Sequence, residues 1–170
     1  MNTTTRILLA AALCASLGAC KKDVVREEVP PAPEPPPRAE PAPVSDGRFT
    51  AEDLDRDSCL RQRVVYFDFD RSEIRSEFSA IMACHAKYLR DRPSARMTLE
   101  GHADERGTRE YNLGLGERRS NSVRSALLAT GGSGSQLTNV SYGEERPTCT
   151  DSGESCWSQN RRVEIVYTAR

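Results

Sequence analysis

The chain has almost no surplus of charge. Twenty-four Lys and Arg face 25 Asp and Glu across 170 residues, a formal net charge of −1. That balance argues against a nucleic-acid partner, because phosphate binding draws on a basic excess. Only two histidines are present, which leaves little for a metal centre or a His-activated nucleophile. Neither a phosphate-cradling loop nor a nucleophile–base signature occurs. The cysteines lack CxxC spacing, which sets a zinc site aside. The longest apolar run, Ile7 to Ala15, is too short to cross a bilayer. These absences predict a binding protein with no catalytic residues, no cofactor and no metal.

What is there begins with a processing segment. Residues 1–19 read as a secretion signal, with Arg6 as its positive start, Ile7 to Ala15 as its apolar core and Leu17-Gly18-Ala19 as a small-residue cleavage site. Leu17-Gly18-Ala19-Cys20 resembles the bacterial lipobox, which implies that Cys20 carries S-diacylglycerol and an N-palmitoyl chain. Each buried methylene adds about 0.8 kcal/mol, so two or three acyl chains make an effectively permanent anchor. Lys21 follows where an aspartate would direct retention in the inner membrane, so the bacterial sorting rule implies the outer membrane. Residues 20–58 then form a lipidated N-terminus and linker. Eight of the ten prolines lie between Pro30 and Pro43, a composition that favours extended polyproline II over a buried core. At about 3.1 Å per residue this segment reaches at most roughly 120 Å.

Residues 59–170 are expected to be globular. With Cys14 in the signal and Cys20 lipidated, four cysteines remain, an even number that in an exported chain points to two disulfides. Of three possible connectivities, Cys149–Cys156 closes a short Gly/Ser-rich loop and Cys59–Cys84 ties the start of the domain to its first helix. Alternation over 63–69 puts Val65, Phe67 and Phe69 on one face of a strand. Ser72 or Ser76 is a candidate cap for a helix with Phe78, Ile81, Met82, His85 and Leu89 at helical spacing, stopped by Pro93. A second strand spans 96–101. Thr108 caps a second helix carrying Leu115, Val123 and Leu127, ended by Gly131 and Gly132. Strands follow over 139–142 and 162–168. The order β-α-β-α-β-β predicts an α+β fold (an α/β sandwich): one mixed sheet with helices packed on it.

The densest polar cluster, Gly101 to Thr108, leaves the second strand and enters the second helix, a position where backbone donors are unpaired and side chains are free of packing duty. Arg119 interrupts the apolar stripe of that helix, and Asn112, Leu115 and Arg119 share one face. A guanidinium at a core margin needs a partner. Spacing leaves two readings open: Arg119 pairs with Asp104, or the two flank a ligand that carries both an ammonium and a carboxylate. His102 and Asp104 form an H-x-D, but His85 falls on a core-facing helix position, so neither histidine makes a convincing catalytic or metal set.

Tyr66-Phe67-Asp68-Phe69-Asp70, Gly101-His102-Ala103-Asp104-Glu105-Arg106-Gly107-Thr108, Glu110 through Arg119, Val140-Ser141-Tyr142-Gly143-Glu144-Glu145 and Asn160-Arg161-Arg162 together resemble the peptidoglycan-associated lipoproteins, the OmpA-like domain family of the Tol–Pal system. The match runs over about residues 64–167. It implies an OmpA-like domain that binds the meso-diaminopimelate stem peptide of peptidoglycan without covalent attachment and meets the periplasmic propeller protein TolB. The chain would then link outer membrane to cell wall and serve envelope integrity and constriction during cell division. By the same resemblance, Asp104 takes the ligand's ammonium, Arg119 its carboxylate, and Asn112 and Leu115 support them. Asp68, Phe69 and Thr108 lie beside the pocket, and Asn160 and Arg161 form its far rim. Two features depart from the family: Gly116 stands where serine is common, which removes a helix hydrogen bond, and the domain's cysteines are additions.

Overall fold

The structure, a computed structural model, describes residues 47–170. The signal segment, Cys20 and the proline-rich stretch lie outside the described residues. The chain enters through a short helix, α1 (Asp53–Arg56), whose Leu54 is fully buried in the core, with Phe49 packed against the same cluster. Folded structure therefore begins ahead of Cys59. Two apolar residues in an otherwise charged segment were enough to extend the domain.

Strand β1 (Val64–Tyr66) is shorter than alternation predicted. Phe67 still bonds through its N–H to the Arg161 carbonyl at 2.9 Å. Beyond it the chain turns, with Asp70 at φ 57°, a left-handed conformation that ends any ladder. A 3₁₀ turn (Ser76–Phe78) leads into α2 (Ser79–Asp91), which buries Ile81, Met82, His85, Ala86, Tyr88 and Leu89. Neither Ser72 nor Ser76 caps this helix, which begins on Phe78 with no side-chain cap. Pro93 follows its end as expected.

Strand β2 (Arg96–His102) buries Met97 and Leu99. Helix α3 (Arg109–Ala129) opens on Thr108, whose hydroxyl accepts from the Tyr111 N–H at 3.2 Å, a true N-cap. Strand β3 (Leu137–Gly143) returns parallel to β2, completing a β-α-β crossover. Between β3 and the last strand, β4 (Arg162–Ala169), lies a helix not anticipated from the sequence, α4 (Glu154–Asn160). The sheet order is β1-β4-β2-β3, with β4 antiparallel to both neighbours. The fold is the predicted mixed sheet with helices against it.

The two disulfides are those expected: Cys59–Cys84, with Cα atoms 6.3 Å apart, and Cys149–Cys156, at 5.3 Å. Where α3 crosses β2, the backbones meet at Gly101 and Gly116. A Cβ on Gly101 would lie 1.9 Å from the Gly116 carbonyl oxygen, so only glycine lets helix and strand approach this closely. A Cβ on Gly116 would fall 2.4 Å from the Ser141 hydroxyl. That hydroxyl donates to the Leu113 carbonyl at 2.6 Å, so β3 supplies from outside a hydroxyl contact to the helix that a serine at 116 would have supplied from within.

Candidate functional site

Three segments converge on a cleft of about 210 Å³. The loop after β1 contributes Phe69 and Asp70, and the β2–α3 loop Asp104, Arg106 and Gly107. The first three turns of α3 contribute Tyr111, Asn112, Leu115 and Arg119. The i, i+3, i+7 spacing of Asn112, Leu115 and Arg119 puts all three at this cleft. The Gly101–Gly116 contact sets the distance between the loop that carries Asp104 and the helix that carries Arg119.

Arg119 is fully buried. Its Nε donates to the Arg71 carbonyl at 2.8 Å, Nη1 to the His102 carbonyl at 2.8 Å and Nη2 to the Asp68 carbonyl at 3.1 Å. Its guanidinium also sits 5.3 Å from the Phe67 ring centroid. Burial pushes its pKa down to about 10, partly opposed by the Asp104 charge. It therefore stays charged at neutral pH. Each Nη keeps one N–H outside these three bonds.

Asp104 does not pair with Arg119, which settles one alternative left open by spacing. Its Oδ1 accepts from the Arg106 N–H at 3.1 Å and Nε at 3.2 Å. Its Oδ2 accepts from Arg106 Nη2 at 2.6 Å and from Arg161 Nη1 at 3.2 Å. Burial would raise this carboxyl, but the hydrogen bonds from Arg106 and Arg161 outweigh it and hold the pKa below the usual range. Anion and cation thus stand on opposite elements of one cleft without neutralising each other.

The remaining predicted residues take different places. Phe69 stands at the cleft with half its surface exposed. Asp68 contributes its carbonyl to Arg119, while its carboxylate turns away toward Arg75 at 3.7 Å. Thr108 acts through the helix cap. Asn160 is outside the cleft: its carboxamide accepts from the Thr148 and Cys149 N–H groups and donates to the Cys149 carbonyl, which fixes the loop before α4. Arg161 is buried, anchored on the Phe67 carbonyl at 3.0 Å, and reaches Asp104. Asp70, Arg106 and Tyr111 were not singled out from the sequence. Asp70 sits one residue beyond Phe69 and accepts from the Tyr111 hydroxyl, and its left-handed backbone has no sequence signal short of the structure.

The alternative chemistries find no support in the geometry. The His102 ring makes no bond to Asp104: it is buried beside Tyr142, 3.9 Å from Glu164. His85 is held between the Tyr167 hydroxyl at 2.7 Å and the Gln62 carbonyl at 2.9 Å. The metal-type donor cluster among the described residues, Asp57 with Cys59 and Cys84, has both sulfurs joined in a disulfide.

Comparison with known proteins agrees with this architecture. The OmpA family matches residues 66–161. A peptidoglycan-associated lipoprotein of Pasteurella multocida is 36% identical over 170 residues, covering 98% of this chain and 100% of that protein. One from Pseudomonas aeruginosa is 50% identical over 100 residues, 59% of each chain. The crystal structure of the peptidoglycan-associated lipoprotein from Burkholderia pseudomallei superposes with a TM-score of 0.67 at 41% identity, over 68% of this chain and 98% of that one. The C-terminal domain of Helicobacter pylori MotB shares the fold, at 20% identity and a TM-score of 0.57 over 62% of this chain and 83% of that one. The chain belongs to the OmpA family and, within it, to the peptidoglycan-associated lipoproteins.

Proposed function

We propose that the cleft grips the meso-diaminopimelate residue of peptidoglycan stem peptides and so holds an outer-membrane lipoprotein to the cell wall. The observation that carries this reading is a buried carboxylate, Asp104, on the loop and a buried guanidinium, Arg119, on the helix, both in one cleft and not bonded to each other. Diaminopimelate in a stem presents an ammonium and a carboxylate on the same carbon, matching those two charges. Arg119 has an N–H left on each Nη, suited to a carboxylate approaching end-on, and Leu115 offers apolar contact to the methylenes that lead from that carbon to the stem backbone. A lysine-type stem lacks that carboxylate and would leave the guanidinium unanswered, which gives selectivity. Many weak contacts to one sacculus would act together as a firm attachment.

Acylation at Cys20 would supply the other end of the link, with the domain facing the periplasm and the proline-rich segment spanning the gap. Exposed Phe69 and Tyr111 beside the cleft suit a second protein on the same face, and the family resemblance makes TolB of the Tol–Pal system that partner.

Retention of the full-length protein on purified sacculi tests the reading. Asp104→Asn and Arg119→Lys should each lower retention at least tenfold while the thermal melt confirms a folded domain, and lysine-type sacculi should retain the wild type poorly. Undiminished retention by a folded Asp104→Asn variant would refute the assignment.

A further inference from the structure

The carboxylate assigned above to the ligand's ammonium is already fully engaged. Asp104 accepts four hydrogen bonds, two on each oxygen, and a carboxylate offers about four lone-pair positions. Two of the four donors are fixtures. One is the Arg106 backbone N–H. The other is Arg161, a buried side chain tied to the Phe67 carbonyl and to Glu154. The remaining two, Nε and Nη2, belong to the Arg106 side chain, which is 30% exposed and lies at the cleft wall.

Arg106 is held there by more than charge. Its guanidinium lies 3.9 Å from the Phe69 ring centroid on one side and 4.2 Å from that of Trp157 on the other. Trp157 is fixed in turn by its indole N–H, which donates to Glu105 at 2.9 Å, and by its neighbour Cys156, bridged to Cys149. The helix unforeseen in the sequence thus supplies one jaw of an aromatic clamp on the cation that covers Asp104.

We infer that Arg106 is a displaceable internal counter-ion: it holds the two positions on Asp104 that a ligand's ammonium takes, and Phe69 and Trp157 set how readily it leaves. When the side chain swings out, one position opens on each oxygen while Arg161 and the backbone N–H stay. The exchange is cation for cation. An acetylated amine offers one neutral N–H in place of the two charged donors that leave, so the arrangement favours a free ammonium. The inference rests on Asp104 being the ammonium acceptor proposed above.

The test uses the full-length protein and a soluble muropeptide containing meso-diaminopimelate, with affinity from titration calorimetry and a second readout from Trp157, the chain's single tryptophan. Wild type should bind with a change in Trp157 emission as the guanidinium leaves the indole face. Arg106→Gln should bind about fivefold more tightly, since the competing pair and its stacking no longer have to be broken, and should show little emission change. Trp157→Leu, which removes one jaw, should also tighten binding. If wild type binds while both variants bind equally or more weakly, the counter-ion role is wrong and the site stands. If wild type does not bind, or Asp104→Asn binds as well as wild type, the site assignment itself falls.

Discussion

Replacing Gly101 with alanine probes the one contact that sets the width of the cleft. The added methyl would sit 1.9 Å from the Gly116 carbonyl oxygen and 2.6 Å from its carbonyl carbon. Ordinary carbon contacts begin at about 3.5 Å, so strand and helix must separate by an ångström or more. Both sides of the clash are backbone, and no rotamer relieves it. With backbone on both sides, the cost falls at the upper end of the overpacking range, about 3 kcal/mol. Restricting the unfolded chain by replacing glycine returns roughly 0.5–1 kcal/mol, leaving a net loss of about 2 kcal/mol. Gly116→Ala differs: its methyl first meets the Ser141 hydroxyl at 2.4 Å, which can rotate away, and then the Gly101 carbonyl oxygen at 2.8 Å. Alanine also gains about 1 kcal/mol in a helix interior, so this variant should lose about 1 kcal/mol or less. Urea unfolding of the full-length variants, followed by circular dichroism, gives both values. Gly101→Ala should also weaken sacculus binding beyond its loss of stability, because it moves α3 away from Asp104. A Gly101→Ala midpoint within 0.5 kcal/mol of wild type, or a larger loss for Gly116→Ala, would refute the reasoning.

Three further outcomes follow from separate features. Removing Cys59–Cys84 by a double serine substitution frees a loop of sequence separation 25 and should cost about 3.5 kcal/mol on the chain-entropy account, against about 2.4 kcal/mol for Cys149–Cys156; paired thermal melts with and without each bridge give the order. Burial, with help from the Arg162 charge, pushes His102 down to about 4. Below about pH 6.5 the unfolded chain therefore takes up a proton that the folded one refuses, and stability should fall as pH drops from 6.5 to 4, by up to about 3 kcal/mol. His102→Gln should flatten part of that slope, and identical pH profiles for the two proteins would contradict it. Thr108→Ala should cost about 1 kcal/mol through loss of the α3 cap, measured by urea midpoint.

Much of the fold was legible because the chain's periodicities are clean. Met97 and Leu99 mark β2, Val163 and Ile165 mark β4, and Thr108 announces α3 with the residue type that capping demands. What escaped were elements without periodicity of their own. Helix α4 has seven residues, is almost wholly polar and lies in a stretch whose Gly and Ser content reads as loop. Its position depends on the Cys149–Cys156 disulfide and on Asn160 bonding back to Thr148 and Cys149, contacts that helical periodicity does not encode. Helix α1 hides a single apolar residue, Leu54, in a charged run. At the site, spacing gave Asn112, Leu115 and Arg119 directly, because one helix face is a local property. Asp70 and Arg106 depend on a left-handed turn and on stacking between residues 88 positions apart, neither of which spacing encodes.

Arg119 has a consequence for any attempt to separate grip from fold. Its guanidinium joins carbonyls at Asp68, Arg71 and His102, and so staples the exits of two strands to the middle of α3. Truncating it removes the donor that these three carbonyls share, and the loops that shape the cleft lose their common anchor. Truncation at 119 therefore costs architecture together with purchase on a ligand carboxylate, whereas lysine keeps a donor in place: the rivet that closes the domain is also half of the jaw.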